Sequence, residues 1–299
     1  MHKTAYPLLL LTTLFWGGNA VAGKLAIGHV SPMLLTTARW GFALVVLCMI
    51  GWPRLMADWT AVRRNAIYLM ALGAVGFSIF NVALYSAVVH TSAINVSIEQ
   101  AGIPMLIFIF NFLLFRLRAT LAQVTGFLVA LIGVVLTASH GDPARLLGLD
   151  LNFGDALMLA AVVGYAGYTV ALRFKPDIHW QSLMIALMAG AFITSIPFAL
   201  AEAQAGASIV PDARGWAIIL YTVIFPSVLA QLFYVRGVED IGANRAGLFV
   251  NLVPVFGTLM SVLLLGEEFH LYHAVALALV LGGIWLAETS GRKAAAGQA

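Results

Sequence analysis

The chain is organised as apolar stretches of about 20 residues, each closed by a few polar or charged ones. At 1.5 Å of rise per residue, such a stretch crosses a hydrocarbon core of about 30 Å as a helix. Ten are read. The first five run Tyr6–Ile27, Pro32–Trp52, Ala66–Val88, Ser92–Phe115 and Ala119–Ala138. The second five run Phe153–Arg173, Gln181–Ala201, Trp216–Val235, Gly242–Leu265 and Leu271–Glu288. The expected fold is an all-α polytopic membrane protein of ten transmembrane helices. Strands of a membrane barrel would alternate apolar and polar residues, and these stretches do not. Composition agrees: of 299 residues, 62% are hydrophobic and 10% charged, against about 45–50% and 25% in soluble domains. The beginning of the chain, with Lys3, an apolar run and Ala20-Val21-Ala22, imitates a secretory signal. A first spanning helix is the preferred reading, because apolar character continues to Ile27 and the pattern recurs further along.

Lys and Arg set the expected orientation. With the N-terminus inside, the inner segments hold Lys3, Arg54, Arg63, Arg64, Arg116, Arg118, Arg173, Lys175, Arg236, Arg245, Arg292 and Lys293. The outer connectors hold only Lys24, Arg145 and Arg214. Both termini are therefore expected to be cytoplasmic. The net charge of +3 marks one side of a membrane and calls for no nucleic acid.

The two halves share an ordered set of special residues. Trp16 through Lys24 lines up with Tyr165 through Arg173. Pro104, Leu113, Leu114, Leu121, Gly133 and Leu136 line up with Pro254, Leu263, Leu264, Leu271, Gly283 and Leu286. Residues 1–140 and 141–299 are read as two five-helix repeats. Five is odd, so the second repeat enters from the opposite side, an inverted layout common in secondary transporters.

A polar group in a bilayer is costly and needs a reason. Arg39 and Glu99 each lie about seven residues from the outer end of a stretch. Matched depth makes them candidate partners, as a gate or proton-coupling site, or else as a structural ion pair or a glutamate in a wet vestibule with the arginine snorkelling outward. Glu99 and Asn95 fall on a different helix face from Ser97, Gln100 and Pro104. The candidate substrate-binding set is Trp16, Asn19, Phe77, Asn81, Tyr85, Gln100, Tyr165, Tyr168, Gln231 and Tyr234, because aimed amides and hydroxyls among aromatics describe a small-molecule site. For any one aromatic taken alone, an interfacial belt or helix packing is the more ordinary explanation. Asn81 and Gln231 occupy corresponding positions. Pro104 and Pro254 also correspond and are assigned gating or structural roles, since proline kinks a helix. No full counter-charge is expected in the substrate set.

Neither catalysis nor a cofactor is expected. Cys48 is the single cysteine. His270 and His273 are three apart, without a third ligand at metal-site spacing. No phosphate-binding glycine loop or nucleophile elbow is present.

Phe15-Trp16-Gly17-Gly18-Asn19, Lys24, Ser31-Pro32 and Arg39 resemble the opening of the EamA repeat of the drug/metabolite transporter superfamily. Pro254 through Leu263-Leu264-Leu265-Gly266-Glu267, closed by Gly282-Gly283, resembles its ending. The first half departs from that ending with Phe115-Arg116-Leu117-Arg118. The detailed pattern is most similar to YddG-type amino-acid exporters. The resemblance implies ten helices, cytoplasmic termini in a bacterial inner membrane, and export of amino acids or similar metabolites by alternating access. Expected partners are the bilayer and a small molecule, and one chain suffices as a monomer. Alternatives are a drug exporter of the same superfamily and a non-transporting membrane enzyme or assembly factor.

Overall fold

The computed structural model describes residues 5–116, 120–142, 152–241, 246 and 249–296. Among these, the structure is helical, with eight helices long and apolar enough to cross a membrane and two shorter apolar ones. We label them α1 (Ala5–Leu25), α2 (Pro32–Ala57), α3 (Ala66–His90), α4 (Ala93–Phe115) and α5 (Leu121–Ala138). The second half contributes α6 (Phe153–Phe174), α7 (Trp180–Gln204), α8 (Ala213–Ile241), α9 (Val253–Leu265) and α10 (Leu271–Ala296). Helix α2 extends beyond the expected Trp52 and carries Pro53 inside its last turns. A short connecting helix, Trp59–Arg64, precedes α3. Helix α9 was expected from Gly242, but its described helix begins at Val253, and residues 242–245 lie outside the described part.

Most of the strongest packing joins one half of the chain to the other. Helix α5 lies on α10, α2 on α7, and α4 on α9. Helix α3 packs on α6 as α1 does on α8, and α4 on α6 as α9 does on α1. Small residues permit the closest approaches, since a missing side chain lets backbones meet. A Cβ on Gly133 of α5 would stand 2.7 Å from Ala276 O of α10. A Cβ on Gly283 of α10 would meet the Gly126 carbonyl of α5. Gly17 of α1 faces the backbone of Val253 and Gly257 on α9 in the same way.

Two irregularities recur at corresponding positions. Helix α3 contains a π-helical segment at Ala74–Ile79, and α8 contains one at Val223–Leu229. Helix α4 breaks at Ala101-Gly102 and restarts with Pro104 in its first turn. The chain turns at Asn251-Leu252, and α9 starts with Pro254 in its first turn. Proline suits a first turn because the missing N–H has no intrahelical partner there. Pro104 and Pro254 thus open new helical segments rather than kinking continuous helices.

Carboxylates tie helix ends across the bundle. Glu202 of α7 accepts from Ser31 Oγ at 2.6 Å and from the backbone N–H groups of Met33 and Leu34 at the start of α2. Asp58 after α2 accepts from His179 N at 2.8 Å, just before α7. Glu267 after α9 accepts from Ala93 N and Ile94 N of α4, at 2.8 and 3.0 Å. A carboxylate at a helix N-terminus satisfies orphan donors and complements the dipole. Gly266 adopts φ +68° before Glu267, whereas Arg116 adopts φ +51° at the corresponding end of α4.

Candidate functional site

Proline builds the first part of the site. Pro226 has no N–H to offer the carbonyl of Thr222. The π-helical register hands that carbonyl to the next N–H, at Ser227, whose Oγ also donates to it at 2.8 Å. The widened turn leaves Ser227 Oγ free to accept from Arg39 Nε of α2 at 2.7 Å. Trp16 Nε1 of α1 donates to Pro226 O at 3.2 Å. π-helical segments often mark functional sites, and this one fixes both a guanidinium and an indole.

Arg39 is 4% exposed. Its Nη1 lies 2.7 Å from Asn19 Oδ1, 2.7 Å from Asn81 Oδ1 and 2.6 Å from the Tyr85 hydroxyl. Two hydrogens are thus shared among three acceptors. Tyr85 donates in turn to Asn19 Oδ1 at 2.8 Å, Asn19 Nδ2 to Asn81 Oδ1 at 3.3 Å, and Asn81 Nδ2 to Phe77 O at 2.8 Å. Helix α3 therefore presents Phe77, Asn81 and Tyr85 in succession, one turn apart. Nη2 of Arg39 takes part in none of these bonds. Among the described residues no carboxylate pairs with Arg39.

The expected Arg39–Glu99 pair does not form. Glu99 is fully buried, and neither carboxylate oxygen has a hydrogen-bond partner among the described residues. Glu99 instead lies within electrostatic reach of Asp155 on α6. Depth was matched, but the two side chains leave their helices toward different neighbours. The expectation of a substrate set without a full charge is corrected as well, because Arg39 bonds directly to three of its members.

Aromatic rings continue the site. Trp40 stacks on Phe77 with centroids 4.7 Å apart, and Phe77 tilts against Tyr168 at 5.8 Å. Tyr168 meets Tyr165 at 5.3 Å, and Tyr165 meets Phe80 at 4.9 Å. Tyr165 lies within electrostatic reach of Tyr234, whose ring is 5.4 Å from Trp16. Trp16, Tyr165 and Tyr234 stay partly exposed within this arc, while Asn19, Asn81 and Tyr85 are buried; Gln231, three residues before Tyr234 on α8, is also partly exposed. Gln100 is half-buried and donates to Val96 O of its own helix.

Ser227, Trp40, Phe80 and Tyr221 belong to the site without having been singled out in the sequence. The Tyr221 hydroxyl occupies the space over Gly18 that a Cβ would need. For Ser227 the signal was the adjacent Pro226, since neighbouring hydroxyls and local π adjustments accompany a proline within a spanning helix.

The architecture and the buried polar centre define a polytopic helical transporter of the membrane. The model of the EamA-like transporter family matches residues 3–139 and again 152–289. The chain belongs to that family. It is 29% identical over 289 residues to YetK of Bacillus subtilis (strain 168), described as an uncharacterized transporter, covering 94% of this chain and 86% of YetK. Against YyaM of the same organism, also described as an uncharacterized transporter, identity is 27% over 292 residues, with 95% and 93% covered. A crystal structure of a protein 22% identical in sequence shares the fold at a TM-score of 0.66, covering 97% of this chain and 98% of that one. The family and these relatives are transporters, not enzymes.

Proposed function

We propose that the chain exports neutral amino acids, aromatic ones among them, by alternating access between residues 1–140 and 141–299. One observation supports the reading: a buried guanidinium is held by neutral acceptors from both halves, with no carboxylate beside it among the described residues. A substrate carboxylate is the complementary charge, and the guanidinium fork suits it. The partly exposed rings of Trp16, Tyr165 and Tyr234 attract an ammonium and pack a side chain. Lys and Arg enrichment in the connectors that share a side with the termini supports cytoplasmic termini, in a bacterial inner membrane.

The test is flux from proteoliposomes loaded with labelled L-phenylalanine or L-alanine. Wild-type protein should release both faster than empty-vesicle leak. Tyr165→Ala and Gln231→Ala should lower the rate several-fold while keeping a wild-type elution profile, and Val45→Ala, at a 56% exposed position, should not. Leak-level release by wild-type protein sinks the assignment. Asn81 and Tyr85 are poorer probes, because their loss also strips Arg39 of acceptors.

A further inference from the structure

A second buried polar cluster lies apart from the Arg39 site. Asp155, in the first turn of α6, is fully buried. Its Oδ2 is 2.9 Å from His140 Nε2, at the end of α5. The His140 side chain is 29% exposed, so one end of the cluster meets solvent. Asp155 Oδ1 accepts weakly from Asn95 Nδ2 at 3.5 Å. Asn95 Oδ1 is 3.1 Å from His273 Nε2 of α10, and His273 Nδ1 accepts from His270 N at 3.0 Å. With both ring nitrogens so committed, His273 is the neutral tautomer protonated at Nε2.

Glu99 sits one turn beyond Asn95 on α4, within electrostatic reach of Asp155. It has neither a donor nor a cation beside it among the described residues. An ionised carboxylate in that setting is strongly penalised, and a second carboxylate nearby adds to the cost. Several charged or titratable groups lie on elements packed around α4. They are Asp155 of α6, His140 after α5, His270 and His273 at the start of α10, Glu267 after α9, Lys24 of α1 and His90 of α3. Lys24 is committed to Val88 O and Thr91 O at 2.7 Å each. Glu267 is committed to the N–H groups of Ala93 and Ile94. His90 packs against Phe153.

We propose that Glu99 is a proton-binding site beside the His140–Asp155 pair: both of its oxygens are buried without a partner among the described residues, and Asn95, one turn earlier on α4, reaches Asp155. One proton from water adds to the Glu99 carboxylate, which becomes neutral, and the net change is one proton gained by Glu99. The occupied and empty states differ by one charge inside the membrane. A carrier that exposes this acid in only one of its conformations therefore responds to a proton gradient.

Infrared spectroscopy of the purified chain in nanodiscs tests the site without any substrate, so its failure is separate from failure of the amino-acid reading. Wild-type protein at neutral pH should show a protonated-carboxyl carbonyl band that shifts in D2O and fades on alkalinisation. Glu99→Gln, which keeps the shape, should lack it. Asp155→Asn should retain the band and move its midpoint at least one pH unit lower, because the neighbouring negative charge is gone. If Glu99→Gln folds poorly, the Asp155→Asn shift decides alone. Absence of the band in wild type, its persistence in Glu99→Gln, or an unmoved midpoint in Asp155→Asn overturns the proposal.

Discussion

Arg39 Nε donates to Ser227 Oγ at 2.7 Å and so joins α2 in the first half of the chain to α8 in the second. The same oxygen donates to the Thr222 carbonyl at 2.8 Å and so stays within the π-helical turn. Ser227→Ala therefore strands the buried Nε–H of Arg39, while the Thr222 carbonyl keeps the i→i+5 backbone bond of the π-helical turn. A loss of about 1–2 kcal/mol is expected, within the range for unsatisfied buried groups and at the upper end of interhelical bonds in membranes. Thermal melting in detergent reads it, and an unchanged midpoint would mean that the bond contributes nothing.

Arg39 and Glu99 share no bond partner. In a double-mutant cycle of Arg39→Met and Glu99→Gln, melting free energies should add to within about 0.5 kcal/mol. Coupling well above that would place the two charges in one network after all.

Arg116 ends the described part of α4 in the left-handed region, at φ +51°. A side chain costs about 1–2 kcal/mol there, less the entropy glycine returns to the unfolded chain. Arg116→Gly should stabilise by about 0.5–1 kcal/mol. Gly266→Ala should destabilise, since Gly266 has φ +68° and open space around it, leaving the backbone as the sole cause. Opposite signs in paired thermal melts are the required outcome.

Asp212 lies in the connector before α8 and accepts from Gly215 N at 2.7 Å. That backbone bond, and then His29, hold its carboxyl below the ordinary carboxylate range. A depressed value means stability present above the unfolded-state value and lost as pH falls through the folded one. Between about pH 6 and about pH 3, wild-type melting temperature should fall further than that of Asp212→Asn. Parallel curves would show that the cap contributes no acid sensitivity.

Orientation can be read with single cysteines in a Cys48→Ser background. Ser139 is too buried to label, at 1% exposure, but Asp142 and Thr60 are exposed. On intact cells a membrane-impermeant thiol reagent should modify Asp142→Cys and spare Thr60→Cys. The reverse pattern would invert the topology.

Most spanning stretches, the family motifs and the aromatic and amide composition of the site were legible in the sequence. Hydropathy is summed along a helix, so a run of about 20 apolar residues announces a span whatever packs against it. The spacing of Phe77, Asn81 and Tyr85 placed them on one face, because helical period is local. The Gly266-Glu267 ending was visible only as a motif; that Glu267 holds the N-terminus of α4 was not.

Which groups meet was decided only in three dimensions. Arg39 and Glu99 have equal depth in the sequence, yet one turns to Asn19, Asn81, Tyr85 and Ser227 and the other toward Asp155. Depth follows from counting residues along one helix. A partner depends on how neighbouring helices rotate and slide against each other, and that is fixed by contacts such as Gly17 on Gly257 and Gly133 on Ala276, made between residues far apart in the chain. The π-helical turn at Val223–Leu229 adds a further local rotation that sets Ser227 against the guanidinium.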